Sequence, residues 1–141
     1  MSLMCFDFGL RQIGVAVGNL ELGTVQPLTT LMAKDGMPQW HEIEALLQEW
    51  KPERVVVGRP FNMDGSESEM SARAKKFANR IHGRFGVPIA LHDERLTSQE
   101  AKYMAREKGH KGDYSRAPID ALAASLILES YIAMAGASES N

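Results

Sequence analysis

Leu3-Met4-Cys5-Phe6-Asp7-Phe8-Gly9, followed after Leu10-Arg11-Gln12 by Ile13-Gly14-Val15-Ala16-Val17-Gly18, is the stretch on which the fold turns. The first segment reads as a short buried strand with an aspartate near its end. An ionised carboxylate is costly there unless a positive or hydrogen-bonding group meets it. A ligand for Asp7 is one reading; an aspartate capping the turn that Gly9 begins is the other. Gly9 to Gln12 carries turn chemistry, and the small and β-branched residues of Ile13 to Gly18 suit a strand packed closely against its neighbour. Together the two segments predict a β-hairpin.

Outward from the hairpin, a third strand is expected near Thr24 to Leu31, with Pro27 marking an edge or a bulge. Lys34-Asp35-Gly36 is a turn. Met37 to Trp50 has helical spacing with Trp40, Ile43, Leu46, Leu47 and Trp50 on one face, so its Met and Trp stripe is expected in the core. Arg54 to Gly58 is a continuous apolar run of the kind found in parallel sheets covered on both faces. A polar loop, Asn62 to Ser66, leads to a helix from about Glu67 to Phe85, and Ile89 to Asp93 is the next strand. Thr97, with Glu100 three positions on, opens a further helix that stops at Gly109. A Gly- and charge-rich loop, His110 to Pro118, precedes a terminal helix from Ile119 to Met134. The order β-β-β-α-β-α-β-α-α predicts an α/β domain whose five-stranded mixed sheet has helices on both faces. One domain is expected over 1–135, with a disordered tail over 136–141.

A chain of 141 residues that is 44% hydrophobic has the size and apolar content for one sizeable core. It lacks both a run of about 18 apolar residues and the charged-then-apolar build of a signal peptide, so a cytoplasmic protein without membrane contact is expected. Cys5 is the single cysteine, which excludes a disulfide framework or zinc cluster and places it in the core. A net charge of −2 argues against a protein that coats nucleic acid non-specifically. A nuclease stays open, because local basic groups can hold a backbone: Arg73, Lys75, Lys76, Arg80 and Arg84 in one segment, His110, Lys111 and Arg116 in another. The first group reads equally as a solvated helix face.

Two further acidic sites join Asp7. Asp93-Glu94 ends the last strand and Asp120 starts the terminal helix, where its charge suits the helix dipole. Sites in such sheets lie at carboxyl ends of strands. Carboxylates gathered from separate elements repel one another and call for a cation, and oxygen-only ligands select Mg²⁺ or Mn²⁺. Two such ions about 4 Å apart activate a water and stabilise the leaving oxygen in phosphodiester hydrolysis. Acids at strand ends and helix starts are common, so spacing alone leaves this open.

Phe6-Asp7-Phe8-Gly9 with Ile13-Gly14-Val15-Ala16, Val57-Gly58-Arg59-Pro60-Phe61-Asn62-Met63-Asp64-Gly65, Ala72-Arg73 with Phe77, His92-Asp93-Glu94-Arg95-Leu96-Thr97 and Asp120-Ala121-Leu122-Ala123-Ala124 together resemble the YqgF (RuvX) family. The likeness runs from about Leu3 to Tyr131. It implies an RNase H-like fold and Mg²⁺- or Mn²⁺-dependent cleavage of a nucleic-acid backbone with two ions, Asp7, Glu94 and Asp120 matching the family's acidic positions. Asp93 is a possible additional ligand. Neighbours on a strand point to opposite faces, so one of the pair faces the metal, and Glu94 is the choice. Arg73, Arg95, Lys111 and Arg116 are the substrate-binding candidates, with an Arg95 ion pair to a neighbouring carboxylate as the alternative for that residue. Leu10 and Pro118 depart from the family pattern without removing an acid.

The family's implied role is trimming the 5′ end of pre-16S rRNA in ribosome biogenesis. Holliday junction resolution rests on fold analogy, and a resolvase would be expected to dimerise, so monomer and homodimer both stay open. Asn62 and Asp64-Gly65 are expected to shape a tight loop, and His82 and His92 to be structural or surface groups. Two other classes compete. The Asp7 hairpin resembles the first phosphate loop of actin-like ATPases and sugar kinases, which need two such lobes where this chain has room for one. A catalytically silent nucleic-acid-binding regulator would keep the fold without the activity.

Overall fold

The computed structural model of the chain describes residues 1–96 and 119–139, with side chains for 1–95 and 121–135. Three strands come first, β1 (Ser2–Asp7), β2 (Gln12–Asn19) and β3 (Thr24–Lys34), then a short β4 (Met37–Pro38) and helix α1 (Trp40–Trp50). β5 (Arg54–Arg59), α2 (Glu69–Phe85), β6 (Ile89–Asp93), a single 3₁₀ turn (Glu94–Leu96) and α3 (Ile119–Glu139) complete the described elements. The helix expected from Thr97 to Gly109 and the loop from His110 to Pro118 lie outside the described residues. The sheet order is β4-β3-β2-β1-β5-β6. β1 pairs antiparallel with β2 and parallel with β5, which in turn pairs parallel with β6.

Alternation along β1 sorts its side chains between two apolar layers. Met4 and Phe6 join Ile13, Val15, Val55 and Val57 under Ile43 of α1 and Ala74, Phe77, Ala78 and Ile81 of α2. Leu3 and Cys5 face the other way and pack with Ala16 and Val56 against Ala124, Ile127 and Leu128 of α3. The valine run of β5 is buried on both sides for this reason. Small residues in β2 let α3 sit close to the sheet: a side chain at Gly18 would stand 3.1 Å from Leu128 Cδ2.

Three expectations need correction. The sheet has six strands rather than five. Asp35 and Gly36 both take positive φ, 50° and 80°, the backbone of a two-residue hairpin turn, so Lys34 and Met37 pair across it and β4 forms. Met37 is therefore no part of a helical stripe. It is exposed, as is Trp50 at the far end of α1, while Trp40, Leu46 and Leu47 pack on the core. Lastly, α3 continues to Glu139, so a helical backbone occupies 136–139, where a tail was expected. The irregularity expected at Pro27 is a bulge: Val15 pairs with Thr29 and Ala16 with Pro27, leaving Leu28 as the extra residue.

Candidate active site

Strand register brings the acids to one edge of the sheet. Asp7 pairs with Gly14 across β1 and β2, Phe6 pairs with Val57, and Gly58 pairs with His92. Asp7 is thus one strand from Gly58, about 4.8 Å in the pairing direction. Asp7 follows Cys5 by two residues and Gly58 follows Val56 by two, which sets both on the face that α3 covers. His92 lies on that face as well, its Nε2 2.8 Å from Ser130 Oγ of α3 and its ring edge-on to Tyr131.

Glu94 continues the series past the end of β6. Its Cγ and Cδ lie 3.1 and 3.2 Å from where a Cβ on Gly58 would stand, so the side chain lies over β5. Cys5 lies two residues before Asp7 on the same face; burial pushes its thiol up first, and the negative charges of Asp7 and then Glu94 push it further. The thiol stays protonated, and what Asp7 and Glu94 offer at this edge, among the described residues, is carboxylate oxygens. That donor set fits a hard divalent cation.

The third acid belongs to α3. Ile127 meets Gly58 near the end of β5 and Tyr131 receives a hydrogen bond from Arg54 at its start, so α3 runs antiparallel to β5. The backbone of position 120, two turns before Ile127, therefore falls about 10 Å further along, at the edge that holds Asp7 and Glu94. The Asp120 carboxylate is outside the described side chains. Among the described residues no three His, Cys, Asp or Glu groups form a metal-binding cluster.

Asp93 points away from this face and is engaged with Arg95. Its Oδ1 accepts the Arg95 backbone N–H at 2.9 Å, and the guanidinium forks onto both carboxylate oxygens, Nε at 3.1 Å from Oδ1 and Nη2 at 2.6 Å from Oδ2. That fork holds the Asp93 carboxyl below its usual range and raises Arg95. Arg95 also stands 5.6 Å from the Phe61 ring centroid, and Arg59 stacks on the same ring at 4.5 Å. Arg73 is not brought to the acids. It lies on α2, on the opposite layer, with Asp35 at 3.2 Å and Glu69 at 3.9 Å. Lys111 and Arg116 are outside the described residues.

The sequence profile described as "RuvX: Holliday junction resolvase" matches residues 1–134. The chain belongs to the RuvX family. Two curated relatives named "Putative pre-16S rRNA nuclease", from Saccharophagus degradans and Escherichia coli O157:H7, are 57% and 52% identical over 130 residues, covering 92% of this chain and 92% and 94% of the relatives. T. thermophilus RuvC in complex with Holliday junction substrate has a TM-score of 0.60 at 19% identity, covering 95% of this chain and 96% of that one. Fowlpox virus resolvase in complex with Holliday junction DNA has a TM-score of 0.56 at 14% identity, covering 96% and 99%. At those identities the two structures show the fold, the RNase H-like arrangement that the family resemblance implied.

Some features of this RuvX-family site have no clear signal in the chain. Gly58 closes an apolar run, and nothing in its neighbours marks it as the floor under Glu94. Arg59 and Phe61 show only as an i, i+2 pair, and their stack with Arg95 depends on the loop that follows. That loop is as tight as Asn62, Asp64 and Gly65 suggest: Asp64 Oδ1 accepts from Ser66 N at 2.9 Å, and Gly65 takes φ 90°. Thr30 pairs with Gly14 on the Asp7 row, and its buried hydroxyl has no hydrogen-bond partner among the described residues.

Proposed function

We propose that this RuvX-family chain is a metal-dependent endonuclease acting at the Asp7–Glu94 edge, and that its substrate is the 5′ end of pre-16S rRNA. The observation that carries the proposal is the placement of Asp7 and Glu94 on one face, either side of a side-chain-free position, at the carboxyl ends of β1 and β6. Asp7, Glu94 and Asp120 are the residues that would hold Mg²⁺ or Mn²⁺, ions that polarise a phosphoryl oxygen and lower the pKa of water when bound. The carboxylate oxygens orient the attacking water and accept its hydrogen bonds. Cys5 stays neutral beneath them and keeps the floor of the site apolar.

Arg95 follows Glu94 directly. Its fork to Asp93 uses Nε and Nη2, and the Nη1 donors lie on the side of the Gly65 loop. Those donors suit a substrate phosphate near the acids. Lys111 and Arg116 would add contacts before Asp120. Among the described residues no helix is long and apolar enough to cross a membrane, and a cytoplasmic site of action fits an rRNA substrate. RNA is favoured because relatives above half identity along nearly the whole chain carry the rRNA name. Holliday junction cleavage is the second reading, supported by the family's printed description.

The test is cleavage of a labelled 5′-extended 16S precursor RNA beside a four-way DNA junction, each with Mg²⁺, Mn²⁺ or EDTA. Asp7→Asn, Glu94→Gln and Asp120→Asn each lower metal-dependent turnover by about a hundredfold or more. Near wild-type turnover in any of them removes that residue from the site. Preferred cleavage of the junction makes the resolvase reading the correct one.

A further inference from the structure

We infer that Gly58 is a positioning residue for Glu94: the missing side chain at this one place in β5 is what lets Glu94 lie across the sheet on the side of Asp7. The inference rests on reading Asp7 and Glu94 as the nuclease centre. β5 has every reason to hold a β-branched residue here. Val55, Val56 and Val57 before it are fully buried, and glycine weakens a strand interior. Nor does the backbone require glycine, since Gly58 is not among the residues of positive φ, unlike Gly36 and Gly65. What requires it is space.

A Cβ at position 58 would stand 2.9 Å from Ile127 Cδ1, 3.1 Å from Glu94 Cγ and 3.2 Å from Glu94 Cδ. The two neighbours differ in how they can yield. Ile127 offers the far end of a flexible side chain, which a rotamer change withdraws. Glu94 offers the carboxyl carbon itself. Its backbone sits in the 3₁₀ turn, where Asp93 Oδ1 accepts the Arg95 N–H, so the side chain is the part that yields first. Moving it off β5 takes the carboxylate away from Cys5 and from the next strand, β1, which ends at Asp7. A displacement of about 1 Å at a reacting centre can cost a hundredfold in rate.

The experiment compares Gly58→Ala, Ile127→Val, the double variant and Glu94→Gln. It reads kcat and KM on the precursor RNA, RNA binding in EDTA, and the melting temperature with and without Mn²⁺. Gly58→Ala is expected to lower kcat by about ten- to a hundredfold with KM and EDTA binding unchanged, and to lose the Mn²⁺-induced rise in melting temperature as Glu94→Gln does. Adding Ile127→Val restores the melting temperature without Mn²⁺ but not kcat or the Mn²⁺ response. Gly58→Ala turnover within about twofold of wild type overturns the inference, as does recovery of both stability and kcat in the double variant, which would make Gly58 a packing residue. Wild-type turnover in Glu94→Gln, measured with Gly58 intact, overturns the nuclease reading of the site and this inference with it.

Discussion

Replacing Gly36 by alanine strikes the hairpin turn that braces the loop after Asp7, and its effect can be worked out from two separate causes. Gly36 has φ 80°, where an L-residue with a Cβ is strained by about 1–2 kcal/mol. The added methyl would also lie 2.8 Å from Phe8 Cζ, 3.4 Å from Phe8 Cε1 and 3.6 Å from Leu10 Cδ2. Phe8 cannot withdraw freely, because its ring is 5.2 Å from that of Phe77 in the main core. Overpacking of this kind costs about 1–3 kcal/mol, which with the dihedral strain makes about 2–5 kcal/mol in all. A domain stable by about 10 kcal/mol, the middle of the usual range, still folds after such a loss. Urea unfolding reads the change as a lower midpoint at constant slope. Phe8→Leu shortens the ring that the methyl meets, so in that background Gly36→Ala should cost only the dihedral part, about 1–2 kcal/mol. The Gly36 N–H also donates to Leu10 O at 2.8 Å, so displacement of this turn reaches the Asp7 loop and turnover falls in the folded fraction. A cost under about 0.5 kcal/mol, or an equal cost in both backgrounds, would refute the reasoning.

Asp93→Asn keeps an acceptor for the Arg95 N–H but loses the ionic fork, so Arg95 is released to nucleic acid: RNA binding in EDTA should tighten and its salt slope steepen by about 1, with turnover less affected than in Glu94→Gln. An unchanged slope would show that Arg95 does not reach phosphate. Burial lowers the His92 pKa below its ordinary value of 6.5. The unfolded chain therefore takes up the proton first, so this contribution to stability is complete above pH 6.5 and is lost as pH falls through the folded value. His92→Gln should flatten the fall of the urea midpoint between about pH 7.5 and 5.5, and an unaltered pH profile would count against it. Lys51 caps α1 in the left-handed region at φ 46°, ψ 55°, so Lys51→Gly should raise stability by about 1 kcal/mol in urea, and a lowered midpoint would be the contrary result.

Most of the fold is legible where burial is two-sided or strictly alternating. The β5 run Arg54 to Gly58 and the β1 alternation of Leu3 and Cys5 against Met4 and Phe6 each imply a strand covered on both faces, and the two pair side by side. The start of α1 is less legible, because it is governed by two backbone dihedrals. Lys34-Asp35-Gly36 reads as a turn in any case. Whether it bends the chain into a helix or back along β3 depends on both central residues taking positive φ, the backbone favoured by Asp-Gly. Helical periodicity from Met37 competes with that local signal, and periodicity alone merges β4 with α1. Trp50 escaped for a different reason. Periodicity assigns it a helix face, but it is the last residue of α1, where the core beneath has ended.

The acids are legible individually, and their convergence is a matter of register. Asp7, Glu94 and the start of α3 are separated by most of the chain, and only the parallel pairing of β1, β5 and β6 puts two carboxylates within reach across one strand. That convergence depends on what lies between them. A carboxylate on a long side chain can lie over a neighbouring strand only if the residue there leaves room, and Gly58 meets that condition beside Glu94. In sequence such a glycine looks like a weak point in a strand. In the folded sheet it leaves room for the Glu94 side chain on the face that carries Asp7, above the buried Cys5, and in the function proposed above a cation and a phosphate offset the electrostatic cost of gathering the two carboxylates.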